Sequence, residues 1–345
     1  MPLSYSDREK LERLRKIFDN NYRLTRMWSD YLTLFPELIN KEMMDALTDG
    51  NDIPPDTAIA AIIAEAFGID TDRGAEERRF FRDYISRSVK LLDRKKFLDN
   101  PYAKCIGDLS ACGGKWEIKR ESYAPYRAVA ASDVIMDEDF SERILLGYFP
   151  EEFEFPAILE NGNEWMTLTP IDVDTVDEAI EAAHGRVITF GLGLGYYTYM
   201  AAMKENVESV TAVEISDEAI SLFENHILPK LPCRDKIKTV KADAFEYAKR
   251  VMPSEHFDVA FVDTWRDASD GAPMYLRMKK CEKLNTGTHF IYWIENFIIS
   301  RLRALRFEEI WSHYSSGELE KLPDTYGEIT KLLSKEALSE YEIKE

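Results

Sequence analysis

The segment VITFGLGLGYYTYM, Val187 to Met200, constrains the fold of this chain more than any other. Four residues suited to a buried strand, Val187 to Phe190, lead directly into three alternating glycines, and Tyr196 to Glu205 then reads as helix. A strand, a glycine turn and a helix in that order build a ligand pocket at the carboxyl end of a parallel sheet. Glycine permits the sharp turn and lets a ligand approach where a Cβ would collide. The spacing narrows the ligand. A dinucleotide fingerprint runs Gly-x-Gly-x-x-Gly, with alanine tolerated at the end. Here Gly195 follows Gly191 and Gly193, and the position that should be small holds Tyr196. That pattern argues against a nicotinamide or flavin dinucleotide and for a ligand without a pyrophosphate.

The segments downstream repeat one plan. SVTAVEISDEAI, Ser209 to Ile220, reads as a strand ending in Glu214, then a helix capped by Ser216 with Asp217 and Glu218 in its first turn. An acid at the tip of a second strand can accept hydrogen bonds from both ribose hydroxyls. IKTVKADAFEYAKR supplies a strand to Val240 and Asp243 at the turn before a helix, placed to accept from an adenine amino group. HFDVAFVDTWR gives a fourth strand, apolar from Phe257 to Val262 apart from Asp258, ending in Asp263. LNTGTHFIYWIEN gives a fifth, introduced by Gly287 and ending in Glu295 and Asn296. Strands of this kind alternating with helices predict an α/β fold with a doubly wound, Rossmann-like parallel sheet.

Over about Asp174 to Asn296 this order resembles the class I S-adenosylmethionine-dependent methyltransferases. The resemblance implies that Gly191, Gly193 and Gly195 line the methionine end of that cofactor, with Leu192 and Tyr196 beside them. It implies Glu214 and Ile215 at the ribose, Asp243 and Ala244 at the adenine, and Asp263 at the methionine amino group or the reaction centre. The family usually opens its first motif with an acid two residues before the first glycine, where this chain has Thr189. Spermidine synthase-like aminopropyltransferases share the fold, use the decarboxylated cofactor and often lack that acid too. They remain an alternative, as does a non-catalytic protein of the same fold that only binds S-adenosylmethionine.

FVDTWRD, Phe261 to Asp267, also resembles the catechol O-methyltransferases, whose fourth strand ends Asp-His-Trp-Lys-Asp and whose fifth ends Asp-Asn. The matching residues are Asp263, Trp265, Arg266 and Asp267, then Glu295 and Asn296. In that family such oxygen ligands hold Mg²⁺, a hard cation that acidifies the acceptor. Thr264 replaces the histidine, and Arg266 replaces the lysine base with a guanidinium that stays protonated. The simpler reading, in which Glu295 and Asn296 only start the next helix, is preferred, so no metal ligand is assigned and Mg²⁺ stays open. Asp263 and Arg266 are the catalytic candidates, Arg266 as a fork for an anionic or aromatic acceptor. Asp263, Asp267 and Asp270 would instead suit a polyamine.

Before the core, residues 1–100 read as a helical accessory or cap domain. Pro54-Pro55-Asp56 opens a helix closed by Gly68, and a long helical segment is expected from Ala75 to Leu98 with Phe81, Tyr84, Ile85 and Leu92 on one face. Residues 101–170 read as a β-rich subdomain punctuated by Gly113-Gly114 and by Asn161-Gly162, its clearest hairpin signal. Residues 171–315 then form the S-adenosylmethionine-binding domain and 316–345 an acidic helical tail. The two segments before the core are expected to form the substrate side of the site. After Asn296 only one helix and one further strand are legible, so the sheet is either truncated or completed by the β-rich segment.

A formal net charge of −19 opposes sequence-independent binding to nucleic acid, which needs clustered Lys and Arg. No apolar run approaches membrane-spanning length, and MPLSYSDREK is no secretion signal. Cys105, Cys112, Cys233 and Cys281 lack zinc spacing and suit reduced thiols in a cytoplasmic protein. The expected reaction is methyl transfer to a small-molecule acceptor, and a homo-oligomer stays open.

Overall fold

The structure, a computed structural model, describes residues 3–50, 52–113, 115–266 and 268–343, so Gly114 and Asp267 lie outside the described set. The chain opens with α1 (Tyr5–Leu34), α2 (Lys41–Thr48), α3 (Pro55–Ala66) and α4 (Ala75–Phe80), which a π turn extends to Ile85. Ser4 caps α1 by accepting from the Asp7 amide, and the helix buries Leu11, Leu14, Phe18, Asn21, Leu24, Trp28 and Tyr31, a stripe of three- and four-residue spacing. The single helix expected over Ala75 to Leu98 does not form. After the π turn, β1 (Val89–Leu91) pairs in parallel with Leu146–Tyr148, and α5 (Arg94–Leu98) and α6 (Pro101–Ile106) follow. Pairing with a distant strand overrides the helical periodicity of that segment.

The next elements are β2 (Ala111–Gly113), β3 (Trp116–Tyr123), β4 (Val129–Ala130), β5 (Ile135–Met136), β6 (Glu142–Arg143), β7 (Leu146–Tyr148), β8 (Phe153–Glu160) and β9 (Asn163–Thr167). β2, β3, β8 and β9 form one antiparallel sheet in that order. Asn161 and Gly162 both take positive φ, 53° and 82°, the mirror-image turn whose twist suits a hairpin. That hairpin carries Met166 on β9 toward the glycine turn.

The core comprises α7 (Pro170–Asp174), α8 (Asp177–Ala182), β10 (Gly185–Phe190), α9 (Tyr196–Ala202), β11 (Val207–Glu214), α10 (Asp217–Leu222), β12 (Ile237–Lys241), α11 (Ala244–Arg250), β13 (Val259–Val262), α12 (Ala268–Glu282), β14 (His289–Tyr292) and α13 (Glu295–Ser315). Two short helices follow, α14 (Tyr326–Leu332) and α15 (Lys335–Leu338). The sheet order is β12-β11-β10-β13-β14 with every pair parallel. β10 is therefore central, with its successor β11 on one side and β13 on the other. This is the doubly wound, Rossmann-like arrangement, and the crevice outside the ends of β10 and β13 is where its strand order reverses.

Two alternatives left open for the end of the sheet are decided. The fifth strand stops at Tyr292 and does not run on to Glu295 and Asn296, which open α13 as the preferred reading has it. The segment IISRLRALRFEEIWSHY lies wholly within α13, so among the described residues the parallel sheet stops at five strands, with none added by the β-rich segment. Ile298, Ile299 and Leu302 bury against the cluster formed by β13, β14 and α12, which holds this segment helical.

Side chains tie the amino-terminal elements to the core. Asp133 accepts from the Asn296 and Phe297 amides at 3.0 and 2.8 Å, which satisfies the start of α13. The Tyr102 hydroxyl donates to the Leu194 carbonyl, and the Asn100 amide donates to the Tyr196 hydroxyl at 2.8 Å. Arg303, 3% exposed, pairs with Glu142 and donates to the Leu333 carbonyl. Phe18 of α1 stacks on Phe307 of α13 with ring centroids 3.9 Å apart. Among the described residues no helix is long and apolar enough to cross a membrane.

Candidate functional site

The glycine turn is set by protein atoms on every side. Gly191, at φ 98°, follows β10, and a Cβ on it would collide with the Asp263 carbonyl oxygen. Backbone cannot move aside as a flexible side chain can, so only glycine lets β10 and β13 end side by side here. Gly193, at φ 50°, lies under the Met166 thioether, and the Leu194 amide donates to that sulfur at 2.9 Å. Gly195 starts α9 and faces the Phe223 ring. Tyr196 turns to the amino-terminal side, its ring edge-on to Tyr102.

Glu214 ends β11 and holds the turn in place. Its Oε1 accepts from the Ile215 and Ser216 amides at 2.8 and 2.9 Å, and its Oε2 accepts from the Leu192 amide at 3.2 Å. A carboxylate offers about four acceptor directions, so one on Oε2 remains for a ligand hydroxyl. Ile215 beside it is 65% exposed, an apolar face at the cleft edge. Asp243 caps α11, with Oδ1 accepting from the Phe245 and Glu246 amides at 3.0 and 2.9 Å, and Ala244 is the first residue of that helix. Its second oxygen carries no bond within the described residues.

Asp263 is different in kind. Its backbone amide donates to the Phe190 carbonyl at 2.8 Å, but its carboxyl has no hydrogen bond or ion pair among the described residues. Burial, followed by the charges of Asp172 and Glu214, pushes its pKa up to about 8. Asp172, at N3 of α7, is itself pushed upward by burial, against the pull of hydrogen bonds from the Thr169 hydroxyl and amide and the Thr167 hydroxyl. Asp172 and Glu214 thus both act on Asp263, and among the described residues no cation is paired with it. Immediately after Asp263, the Thr264 hydroxyl and the Trp265 indole nitrogen are buried with no partner among the described residues, as is the Tyr197 hydroxyl on α9. Buried polar atoms are ordinarily satisfied, so such a group beside an unpaired carboxyl marks the strand end as a place for a polar ligand.

The remaining candidates are placed as follows. The Arg266 side chain is exposed, and its backbone amide donates to both Asp270 oxygens at 3.2 and 3.3 Å. Glu295 accepts from the Tyr275 hydroxyl at 2.9 Å and pairs with Lys335 at 2.7 Å, so its charge is matched within the protein. Among the described residues no set of three or more His, Cys, Asp or Glu is arranged to hold a metal.

Asp172 and Met166 were not legible as site residues. The Thr-Pro-Ile-Asp run at 169–172 signals a helix start, but nothing in it signals that the acid reaches the field of Asp263. Met166 sits in an ordinary strand pattern, and only the folded hairpin brings its sulfur over Gly193.

No protein-family model matches the chain, and no curated protein does. Among solved structures it is similar to a candidate S-adenosylmethionine-dependent methyltransferase from Streptococcus mutans, at 18% identity over 37% of this chain and 36% of that one, with a TM-score of 0.29. It is similar to a candidate O-methyltransferase from Klebsiella pneumoniae at 16% identity over 33% and 49%, with a TM-score of 0.25. It is also similar to spermidine synthase from Thermotoga maritima at 13% identity over 58% and 62%, with a TM-score of 0.31. The chain thus spans less than two thirds of each of these proteins. The fold assignment rests on the strand order and register of the sheet itself.

Proposed function

We propose that this chain is an enzyme that binds S-adenosylmethionine at the carboxyl edge of β10, β11 and β13 and transfers its methyl group to a small molecule. The observation that carries this reading is Asp263, a carboxyl without a partner in the field of Asp172 and Glu214. Such a group favours a cationic ligand, whose charge would offset the repulsion among the acids. The cofactor supplies an electrophilic methyl carbon on a sulfonium and also carries an ammonium. Glu214 has an acceptor direction left for a ribose hydroxyl, Ile215 offers an apolar wall for a base, and Asp243 keeps one carboxylate oxygen for an amino group. A ligand reaching Gly193 displaces the Met166 thioether that covers it.

Asp263 also has a role in the chemistry. A carboxyl poised near neutrality is suited to take the proton that an alcohol or amine acceptor must lose. When the ligand cation is consumed, the field of Asp172 and Glu214 makes Asp263 a stronger proton acceptor. Arg266, exposed at the mouth of this strand end, is the acceptor-binding candidate. The reading places the protein in the cytoplasm, in keeping with four free cysteines.

A second reading is favoured by the number of acids. Three interacting carboxyls exceed what one sulfonium and one ammonium need, and they suit a polyamine in an aminopropyl transfer. Calorimetry on the full chain tests the first reading: S-adenosylmethionine and S-adenosylhomocysteine should both bind, and no heat from either at millimolar concentration would exclude it. Product analysis separates the rest. A methylated acceptor supports the methyltransferase, spermidine from putrescine and the decarboxylated cofactor supports the second reading, and binding without turnover of either supports a non-catalytic binder.

A further inference from the structure

The hairpin of β8 and β9 carries one residue too many. Ile158 pairs with Met166 and Leu159 with Glu164, so Trp165 has no partner in the ladder. A bulge of this kind bends its strand and re-aims the neighbouring side chain. Here that side chain is Met166, whose sulfur lies on Gly193 and accepts from the Leu194 amide at 2.9 Å. The bulge is held on both flanks. Trp165 packs on Trp116 with ring centroids 4.4 Å apart, and the Thr167 hydroxyl donates to Asp172 at 3.3 Å.

We propose that Met166 is a built-in occupant of the ligand site, seated where the amino-acid end of the cofactor would lie, so that the free protein opposes ligands long enough to reach Gly193. The inference rests on the cofactor reading above and adds to it which part of the ligand the protein itself excludes.

The strand order sets the direction of the ligand. Glu214 ends β11 and Asp243 follows β12, both on the opposite side of β10 from β13. The ribose and the base belong there. Asp263, whose main-chain carbonyl faces Gly191, draws the positive end of the ligand toward the first two glycines. That end meets Met166. A thioether is a weak acceptor, and the Leu194 amide has no other acceptor among the described residues. A ligand carboxylate arriving at the turn offers that amide a stronger, charge-assisted bond, so the sulfur holds the place and then yields it. The sheet permits the withdrawal. β9 pairs only with β8, and moving it away from the turn breaks no second ladder among the described residues.

Calorimetry on the full chain compares S-adenosylhomocysteine, which carries the amino-acid end, with methylthioadenosine, which lacks it. Met166→Ala should tighten S-adenosylhomocysteine by about fivefold, the scale of one displaced hydrogen bond, and leave methylthioadenosine within about twofold. In wild-type protein with labelled methionine methyl groups, the Met166 methyl resonance should move on addition of S-adenosylhomocysteine and stay in place with methylthioadenosine, a readout that needs no substitution. The inference alone is overturned, and the cofactor reading kept, if S-adenosylhomocysteine binds but Met166→Ala does not tighten it or tightens both ligands equally. The same holds if the Met166 resonance stays in place while S-adenosylhomocysteine binds, or moves equally with both. Binding of neither ligand to either protein fails the cofactor reading and the inference with it.

Discussion

The α-carbon of Gly191 faces the main-chain carbonyl oxygen of Asp263 with no room for a Cβ between them. The first glycine of the turn is thus required by the junction of β10 and β13, whatever ligand the turn receives. Gly191→Ala combines a positive φ of 98° with a backbone collision. It should lower stability by about 3 kcal/mol or more, read from the midpoint of a urea transition. A loss below about 0.5 kcal/mol would show that the strand ends part easily.

Asp263 should make stability depend on pH. Its folded-state pKa of about 8 lies above the unfolded value of 3.8, so its contribution is complete below pH 3.8 and is lost as pH climbs through 8. Asp263→Asn mimics the neutral form, and its advantage over the wild type should be larger at pH 9 than at pH 5 by about 4 kcal/mol, the two converging only near pH 4. Denaturation curves at both values check this, and parallel behaviour of the two proteins would contradict it.

The same group should couple ligand binding to proton release. A cation arriving beside Asp263 draws its pKa below the solution pH, so S-adenosylmethionine should bind more tightly as pH rises toward 8 and should release close to one proton at pH 7. Calorimetry in buffers of different ionisation enthalpy measures that number. Release with S-adenosylmethionine but not S-adenosylhomocysteine would put the sulfonium at Asp263; release with both would put the ammonium there. Release with neither would remove Asp263 from the binding site.

Met166 competes with a ligand for the space over Gly193. Met166→Ala removes the thioether and its hydrogen bond from Leu194, and should strengthen cofactor binding by roughly 1 kcal/mol, about fivefold. Titrations of both proteins decide it. Weaker binding in the variant would mean that the sulfur supports the ligand instead of excluding it.

Glu142 neutralises Arg303 in the interior. Glu142→Ala leaves a guanidinium buried without a counter-charge and should cost about 3–5 kcal/mol, seen as a lowered urea midpoint. Glu142→Gln should recover part of this by keeping an acceptor for Ser300, which donates to Glu142 at 2.5 Å.

The core was legible because its signals are local. Four-residue apolar runs, the glycine turn, the Ser216 and Asp243 caps and the Asn161-Gly162 turn each depend on neighbours in sequence, and all appear in the structure. The segment from Ala75 to Leu98 misled because its apolar spacing suits a helix, while a distant strand partner, Leu146–Tyr148, decides its state. Glu295 was ambiguous for a related reason: strand and helix both tolerate it, and its pairing with Tyr275 and Lys335 comes from tertiary packing. Asp172 and Met166 acquire their roles only when the hairpin and α7 close over the turn.

Leu11, Leu14 and Phe18 of α1 find their partners in Phe307 and Ile310 of α13 and in Ile329 and Leu333 near the carboxyl end. The ribosome delivers the chain in the opposite sense. The half of α1 from Leu11 to Phe18 stays uncovered until α13 has been made, whereas Leu24 to Tyr31 find partners in the helices that follow at once. During synthesis the stretch from Leu11 to Phe18 is where a chaperone would find the chain.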